Sequence, residues 1–449
     1  MEKITSRKKL ILFGCSGLGV NILNIIMGSY LTSALVAGGF VDHISEWTYL
    51  GKDIVVAGLW AIFVFLAKAL DGIIDLPLAT FADGLKTKLG RRKTAILIGY
   101  IPMIISYLLF LIPLKPEATY LNTIWFGLLL CIFYSCYTLT MLTYYAAFAE
   151  VCKDERDTLF LSNTKSICDV VYFSLCFALI PVFISLNINI RIVALIFLPL
   201  ALTMLIPFFL LKENREAEGE IRRLTLINAL STSFKDKAFI IWMCACATAA
   251  IGLQLFLGGI NELFSSTGLN MTVVMASSFA PVPLTIMLYN KLTKKHGIAV
   301  SYRFVLTMFS IGMAVMLLCY YLSGKVGGGV ITAIAIFGGV IVSFAIGAFF
   351  SVTYVVPTGL ARRQFDRTGE SVSSMYFAVQ GLFEGIAAGI ATGPILVSLK
   401  DNNVIMLLPI IVIIACAGAF AITYAFPDEI KFLGKEAPVS QNATETETV

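Results

Sequence analysis

The chain has 449 residues, of which 58% are hydrophobic and only 14% are charged. Soluble domains are about 45–50% apolar and about 25% charged, so this composition excludes a purely soluble enzyme and a disordered chain. The net charge of +5 is small, and the mean hydropathy is +0.87. Because the apolar runs are long and continuous, we predict a polytopic α-helical membrane protein, not a transmembrane barrel.

Twelve apolar runs are long enough to supply the about 20 residues that a spanning helix needs. They cover residues 10–38, 54–81, 94–114, 121–149, 166–186, 191–211, 238–264, 271–290, 302–323, 330–358, 371–398 and 404–426. A long polar stretch separates the first six runs from the last six, a pattern known from carriers built of two repeats. We therefore predict two six-helix halves (1–211 and 238–426), a cytoplasmic linker (212–237) and a disordered cytoplasmic tail (427–449).

The loops alternate in their content of lysine and arginine. The N-terminus, the even-numbered loops and the tail hold 27 of the 33 cations, whereas the odd-numbered loops hold five, and Lys68 lies inside a span. Cytoplasmic loops carry the excess of positive charge. We therefore predict a multi-pass protein of the plasma (inner) membrane with both termini in the cytoplasm.

The second span carries three ionisable residues, Lys68, Asp71 and Asp75, spaced i, i+3 and i+7. This spacing places a cation and two carboxylates on one helix face. Charges within the bilayer are costly, so such residues are candidates for function. Two carboxylates one turn apart repel each other unless a cation binds between them or one is protonated. The face predicts a Na⁺ or H⁺ site; the alternative is a structural Lys–Asp pair.

The loop after the second span contains Asp83, a glycine at its turn (Gly90) and two arginines, Arg91 and Arg92. This order resembles the cytoplasmic loop between helices two and three of the major facilitator superfamily, where the loop latches the two halves. The alternative is an ordinary charged loop. In the eleventh span, Glu384 is another intramembrane carboxylate, followed by a run of small residues that permits close helix packing.

Taken together, these motifs resemble the glycoside–pentoside–hexuronide:cation symporters, the melibiose permease family. The resemblance covers most of the chain and rests on Lys68-x-x-Asp71-x-x-x-Asp75-x-Pro77, on Gly14-Cys-Ser-Gly17-Leu-Gly19-Val-Asn21, on Thr143-Tyr144-Tyr145 and on Arg367-Thr368-Gly369-Glu370-Ser371. It implies an all-α major facilitator fold. It also implies that Asp71 and Asp75 bind the coupling cation together with Asn21.

The resemblance further implies a set of solute-binding residues. An aromatic residue in helix four packs on the sugar ring in this family, and a basic residue after the following loop contacts the solute. The predicted solute-binding residues here are Asn21, Asn24, Lys68, Tyr144, Tyr145, Lys165, Gln380 and Glu384. The predicted latch residues are Asp83, Gly90, Arg91 and Arg92.

The sequence also departs from the family pattern. The aspartate expected in helix four falls near Met141, and the proline before the aromatic is Thr143. The lysine expected in helix eleven is absent, its place falling at Leu382 or Glu384. The resemblance therefore implies the fold but no galactoside specificity. We further propose that Lys68 pairs with Glu384 or with the aspartates in alternation.

Three functions are compatible with these features. A symporter that couples a sugar-like solute to Na⁺ or H⁺ explains the carboxylates and the loop. A carrier of the same fold for an amphipathic solute, such as a lysophospholipid, is favoured by apolar replacements in helix eleven. A non-transporting receptor or scaffold is the third. We expect no catalytic residues, no cofactor, no nucleic-acid partner, contacts only with solute and membrane lipid, and a monomer.

Overall fold

The computed structural model describes residues 4, 6–85, 87–152, 155–211, 234, 236–265, 269, 271–368 and 373–435. Within these residues, twelve helices are long and apolar enough to span a membrane, as predicted. We label these spans α1 to α12. They are Arg7–Leu35, Ala57–Asp75, Arg91–Phe110, Tyr120–Phe148, Ile167–Ser185, Ile190–Leu210, Lys237–Ser265, Thr272–His296, Ile298–Leu322, Gly328–Phe349, Val379–Asp401 and Ile405–Ala425.

Several helices continue beyond their spans. The helix of α2 runs over Ala57–Gly84, that of α4 over Tyr120–Val151, that of α5 over Glu155–Ser185 and that of α10 over Gly328–Thr368. All four helices extend past a predicted end of their apolar run, because polar residues can continue a helix outside the hydrocarbon core and hydropathy does not detect them. Two short helices, Ile44–Trp47 and Asp428–Lys431, lie between or after the spans.

Two spans contain a turn of π-helix. In α1 the π-helix covers Ile26–Leu31 and is followed by a short 3₁₀ segment, Ser33–Leu35. In α11 it covers Ala391–Ile395, between the helices Ser373–Ile390 and Leu396–Asp401. Single π-turns inside α-helices are rare and occur frequently at functional sites. One such turn therefore lies in each half of the chain.

The most extensive contacts between the two halves join three pairs of helices: α2 with α11, α5 with α8, and α1 with α7. Between α5 and α8 the contact is aromatic, with the rings of Phe177 and Phe279 stacked 4.3 Å apart. Between α2 and α11 the contact is made through glycines, and between α1 and α7 it includes polar side chains; both are described below. The fold is that of an all-α membrane protein whose two halves enclose a shared interface.

The linker residues 212–233 and the tail residues 436–449 lie outside the described residues. The start of the predicted disordered tail is ordered in the structure. Ile430 is fully buried, the backbone N–H of Ile298 donates to the carbonyl of Leu433 at 3.2 Å, and Arg363 pairs with Glu429. The apolar residues among the charged ones explain this order, because they bury against α9 and the extension of α10.

Candidate functional site

The charged face of α2 turns towards α4. Lys68, Asp71 and Asp75 are all partly buried. The ammonium of Lys68 lies 4.0 Å from the centroid of the Tyr134 ring, a cation–π contact that compensates part of its lost hydration. One turn further along α4, the hydroxyl of Thr138 donates to Asp71 Oδ1. Two successive turns of α4 therefore contact the cation and the first carboxylate.

α1 brings its two asparagines to the same region. Asn21 is buried, and its Oδ1 accepts a hydrogen bond of 2.8 Å from the hydroxyl of Tyr137, the residue before Thr138. Oδ1 of Asn24 is buried and has no hydrogen-bond partner among the described residues. A Cβ on Gly28 would stand 3.7 Å from Lys68 Nζ. The structure thus brings Asn21 and Asp71, two of the three predicted cation-binding residues, to adjacent residues of α4.

α11 packs against α2 beside this face through four glycines spaced four residues apart. A Cβ built on Gly381 would lie 3.4 Å from Asp75 Oδ2, and one on Gly385 would lie 3.0 Å from the carbonyl oxygen of Lys68. Further along, Gly389 and Gly393 approach the backbone of α2 still more closely. Small residues permit such close packing of membrane helices. The charged residues of α2 consequently lie at the seam between the two halves.

Glu384 faces α7 rather than α2. Its Oε1 accepts hydrogen bonds from Gln380 Nε2 at 2.9 Å and from the thiol of Cys246 at 3.1 Å. Gln380 is fixed in turn, because its Oε1 accepts from the indole N–H of Trp242 at 3.0 Å. Among the described ion pairs, none within 4.0 Å joins Lys68 to Glu384. In this conformation the predicted Lys68–Glu384 pair is not formed, and Gln380 is the direct neighbour of Glu384.

The two tyrosines of α4 differ in their surroundings. Tyr144 is fully buried, and its hydroxyl lies within hydrogen-bond distance of the carbonyls of Phe13 (2.7 Å) and Gly14 (2.9 Å). It therefore ties α4 to α1. Tyr145 is 38% exposed, and Lys165 Nζ lies 4.9 Å from its ring centroid. Lys165 also pairs with Asp169. Of the two rings, Tyr145 is the accessible one.

The predicted latch is described only in part. Gly90 precedes the helix of α3 with φ of 102°, a conformation that favours glycine. The carbonyl of Gly90 accepts from the hydroxyl of Thr94 at 2.8 Å, which fixes the turn. Arg91 is half-buried and Arg92 is buried at the start of the helix. The side chain of Asp83 lies outside what the structure describes, so the latch stays a prediction.

One polar cluster was missed by the sequence analysis. Lys400 Nζ donates to Glu262 Oε1 at 2.6 Å and to the carbonyl and hydroxyl oxygens of Ser33 at 2.7 and 2.8 Å. Lys400 is 2% exposed and Glu262 is 0% exposed. Lys400 lies just past the predicted end of the eleventh span at residue 398, and so in a predicted loop, but Glu262 lies inside the predicted seventh span. Like Glu384, Glu262 is a carboxylate inside a predicted span, and the cost of a charge within the bilayer makes it a candidate for function.

The oxygen-rich set at α1, α2 and α4 has the chemistry of a site for a hard cation such as Na⁺, which prefers carboxylate, amide and hydroxyl oxygens. Among the described residues, no group of three or more histidine, cysteine, aspartate or glutamate side chains could hold a metal ion. A cation at Asp71 and Asp75 would therefore need ligands from Asn21, Thr138 or the solute.

Comparison with known proteins agrees with this architecture. Residues 12–401 match the family described as MFS/sugar transport protein. No curated protein sequence matches the chain. The nucleoside transporter NupG has a similar structure, with a TM-score of 0.64 and 16% identity over 94% of this chain and 98% of its own.

Two further solved structures are similar. A bacterial homologue of the iron transporter ferroportin, in an inward-facing state, gives a TM-score of 0.61 and 11% identity over 94% of this chain and 99% of its own. A POT family transporter in complex with 5-aminolevulinic acid gives a TM-score of 0.59 and 16% identity over 93% of this chain and 95% of its own. At these identities the similarity establishes the fold, which is that of the major facilitator superfamily.

Proposed function

Since the chain belongs to the MFS/sugar transport protein family, the family of the melibiose-permease-like symporters, and is a secondary transporter, we propose a specific transport function for it. It carries a sugar, glycoside or related small solute across the plasma membrane by alternating access, coupled to Na⁺ or H⁺. Both termini lie in the cytoplasm, and the protein acts as a monomer without a cofactor and without enzymatic activity.

The observation that supports coupling is the position of the α2 carboxylates. Asp71 is hydrogen-bonded to α4, and Asp75 Oδ2 borders Gly381 of α11. A cation bound by these carboxylates would lower their mutual repulsion. It would do so at the contact between the two halves, which must rearrange between the inward-open and outward-open states. If solute and cation both stabilise the same arrangement of the seam, each raises the affinity of the other. This reciprocity is the thermodynamic requirement for symport.

An amphipathic solute is the second candidate. Helix eleven has apolar residues where the family has polar ones, and one of them, Val379, is fully buried beside Gln380. A solute with an acyl chain would tolerate such surroundings, whereas a sugar needs hydrogen-bond partners for each hydroxyl.

A thermal-stability screen of the purified protein separates the two candidates. Monosaccharides and disaccharides are compared with lysophospholipids, each with and without Na⁺. A ligand that binds the folded state raises its stability in proportion to the logarithm of its concentration over Kd. We expect a sugar or glycoside to stabilise the protein, and Na⁺ or a lower pH to increase that effect. Stabilisation by lysophospholipids alone would favour the second candidate.

A further inference from the structure

The cluster of Ser33, Glu262 and Lys400 lies at one end of the bundle. Ser33 is in the last segment of α1, Glu262 is near the end of α7, and Lys400 is in the last turn of α11. These odd-numbered spans run in the same direction, so the cluster lies at the end opposite both termini, which we call the distal end. Ser33 belongs to the first half of the chain, and the other two residues belong to the second.

The contacts within the cluster are dense. Lys400 donates to three oxygen atoms, and the hydroxyl of Ser33 also donates to Glu262 Oε1. The loop after α1 covers the cluster closely: a Cβ on Gly38 would lie 2.1 Å from the carbonyl oxygen of Lys400. One residue before Glu262, Asn261 Nδ2 donates to the carbonyl of Ser29 at 3.3 Å. The distal end is therefore closed by α1 against α7 and α11.

The cluster is not fully satisfied. Glu262 Oε2 is buried without a hydrogen-bond partner among the described residues. Burying two ions costs desolvation that nearly offsets their attraction, so a buried ion pair adds little net stability. On separation, water would hydrate all three groups, including the unpartnered oxygen. The closed and open arrangements can therefore be close in free energy, as a step that occurs in every transport cycle requires.

A small cavity lies directly beside the cluster. Its volume is about 20 Å³, and its lining includes Gly28, Thr32, Thr392 and Lys400. Such a volume holds about one water molecule. Gly28 and Thr392 belong to the two π-turns of α1 and α11, so both irregular turns face the cavity. These turns are the places where the distal ends of α1 and α11 can bend without breaking the rest of the helix.

We propose that Ser33, Glu262 and Lys400 form a distal lock, which closes the distal end in the present state and separates and hydrates when the carrier opens to that side. This inference rests on the proposed alternating access. The cavity and the two π-turns lie between the lock and the Lys68 region, so opening the lock connects the central site to the distal solution. The lock residues position the helices and do not bind the solute.

The test measures conformation rather than transport. A cysteine replaces Thr32 in the cavity, and an impermeant maleimide is added from the distal side without solute; labelling of the parent, which has native cysteines, is subtracted. We expect slow labelling in the Thr32→Cys protein. Adding Lys400→Met or Glu262→Gln leaves the other partner buried and uncompensated, so labelling should rise at least about tenfold.

The double variant Lys400→Met with Glu262→Gln provides an internal check. It removes every bond that Lys400 makes to Ser33 and Glu262, so its labelling should also rise above that of the Thr32→Cys protein. The rise should be smaller than in the single variants, because no uncompensated charge stays buried. Lys325→Met, at an exposed distal loop, is the matched control and should leave labelling unchanged. Size-exclusion profiles establish that each variant is folded.

Unchanged labelling in both folded single variants, or a double variant that labels as slowly as the Thr32→Cys protein, would overturn the lock. Parent protein that never accumulates a solute would instead refute the proposed function, whatever the labelling shows. If the single variants are unfolded, the folded double variant still decides: labelling faster than in the Thr32→Cys protein supports the lock, and labelling as slow as in that protein refutes it.

Discussion

The four glycines of α11 that face α2 offer a graded test of how closely the halves pack. Replacing each by alanine adds a methyl group whose nearest α2 atom is known. That atom lies at 3.4 Å for Gly381, 3.0 Å for Gly385, 2.8 Å for Gly389 and 2.5 Å for Gly393. It is a side-chain oxygen for Gly381 and a backbone carbonyl oxygen for the other three. Only the first of these distances is an ordinary contact.

The magnitude follows from two opposing effects. Alanine in place of glycine favours a helix by about 0.8–1.0 kcal/mol. Overpacking a close interface costs about 1–3 kcal/mol, and the methyl at Gly393 would come 0.9 Å closer to the carbonyl of Ala61 than the 3.4 Å at which ordinary contact begins. We therefore expect Gly381→Ala to be neutral or stabilising, and Gly393→Ala to be destabilised by about 1–2 kcal/mol. Gly385→Ala and Gly389→Ala should fall between them.

The assay is the apparent Tm of each detergent-solubilised variant, followed by fluorescence-detected size exclusion. Gly329→Ala is the matched control, because a Cβ there would meet no atom within 4 Å. From the most to the least stable, the expected order is Gly381→Ala, Gly385→Ala, Gly389→Ala and Gly393→Ala. A Gly381→Ala protein as unstable as Gly393→Ala, or four variants without any order, would refute the close α2–α11 seam.

The remaining predictions concern charge. Asp71→Asn and Asp75→Asn should each abolish accumulation of solute while exchange persists. The factor by which the cation raises solute affinity, typically about 5–150-fold, should be lost. Full accumulation by both variants would show that the carboxylates are structural. Glu384→Gln should lower uptake with little effect on folded yield, because the amide oxygen still accepts the two hydrogen bonds. Lys68→Ala should lower both uptake and folded yield, because it leaves carboxylates uncompensated. Uptake at the parent rate by the glutamine variant would remove Glu384 from the mechanism. Arg91→Ala should leave solute binding measurable and change cysteine accessibility on the two membrane faces; an unchanged pattern would contradict the latch.

Helical periodicity and hydropathy were sufficient for the spans and for the shared face of Lys68, Asp71 and Asp75, since both are local properties of the sequence. Which groups meet across helices is not local. Tyr144 and Tyr145 are adjacent in sequence, yet the rotation of about 100° per residue of an α-helix directs the first into the α1 interface and leaves the second accessible. Lys400 follows an apolar run that ends near 398, so hydropathy assigns it to a loop although tertiary contacts bury it.

The proposed coupling, in which a cation gradient drives solute accumulation through Asp71 and Asp75, is tested most directly in proteoliposomes. The solute is the one identified by the stability screen. Uptake is measured with an inward Na⁺ gradient, with an inward proton gradient and with neither. We predict accumulation above equilibrium with one of the two gradients, abolished when an ionophore collapses that gradient. Uptake that only equilibrates, whatever the gradients, would contradict coupled transport.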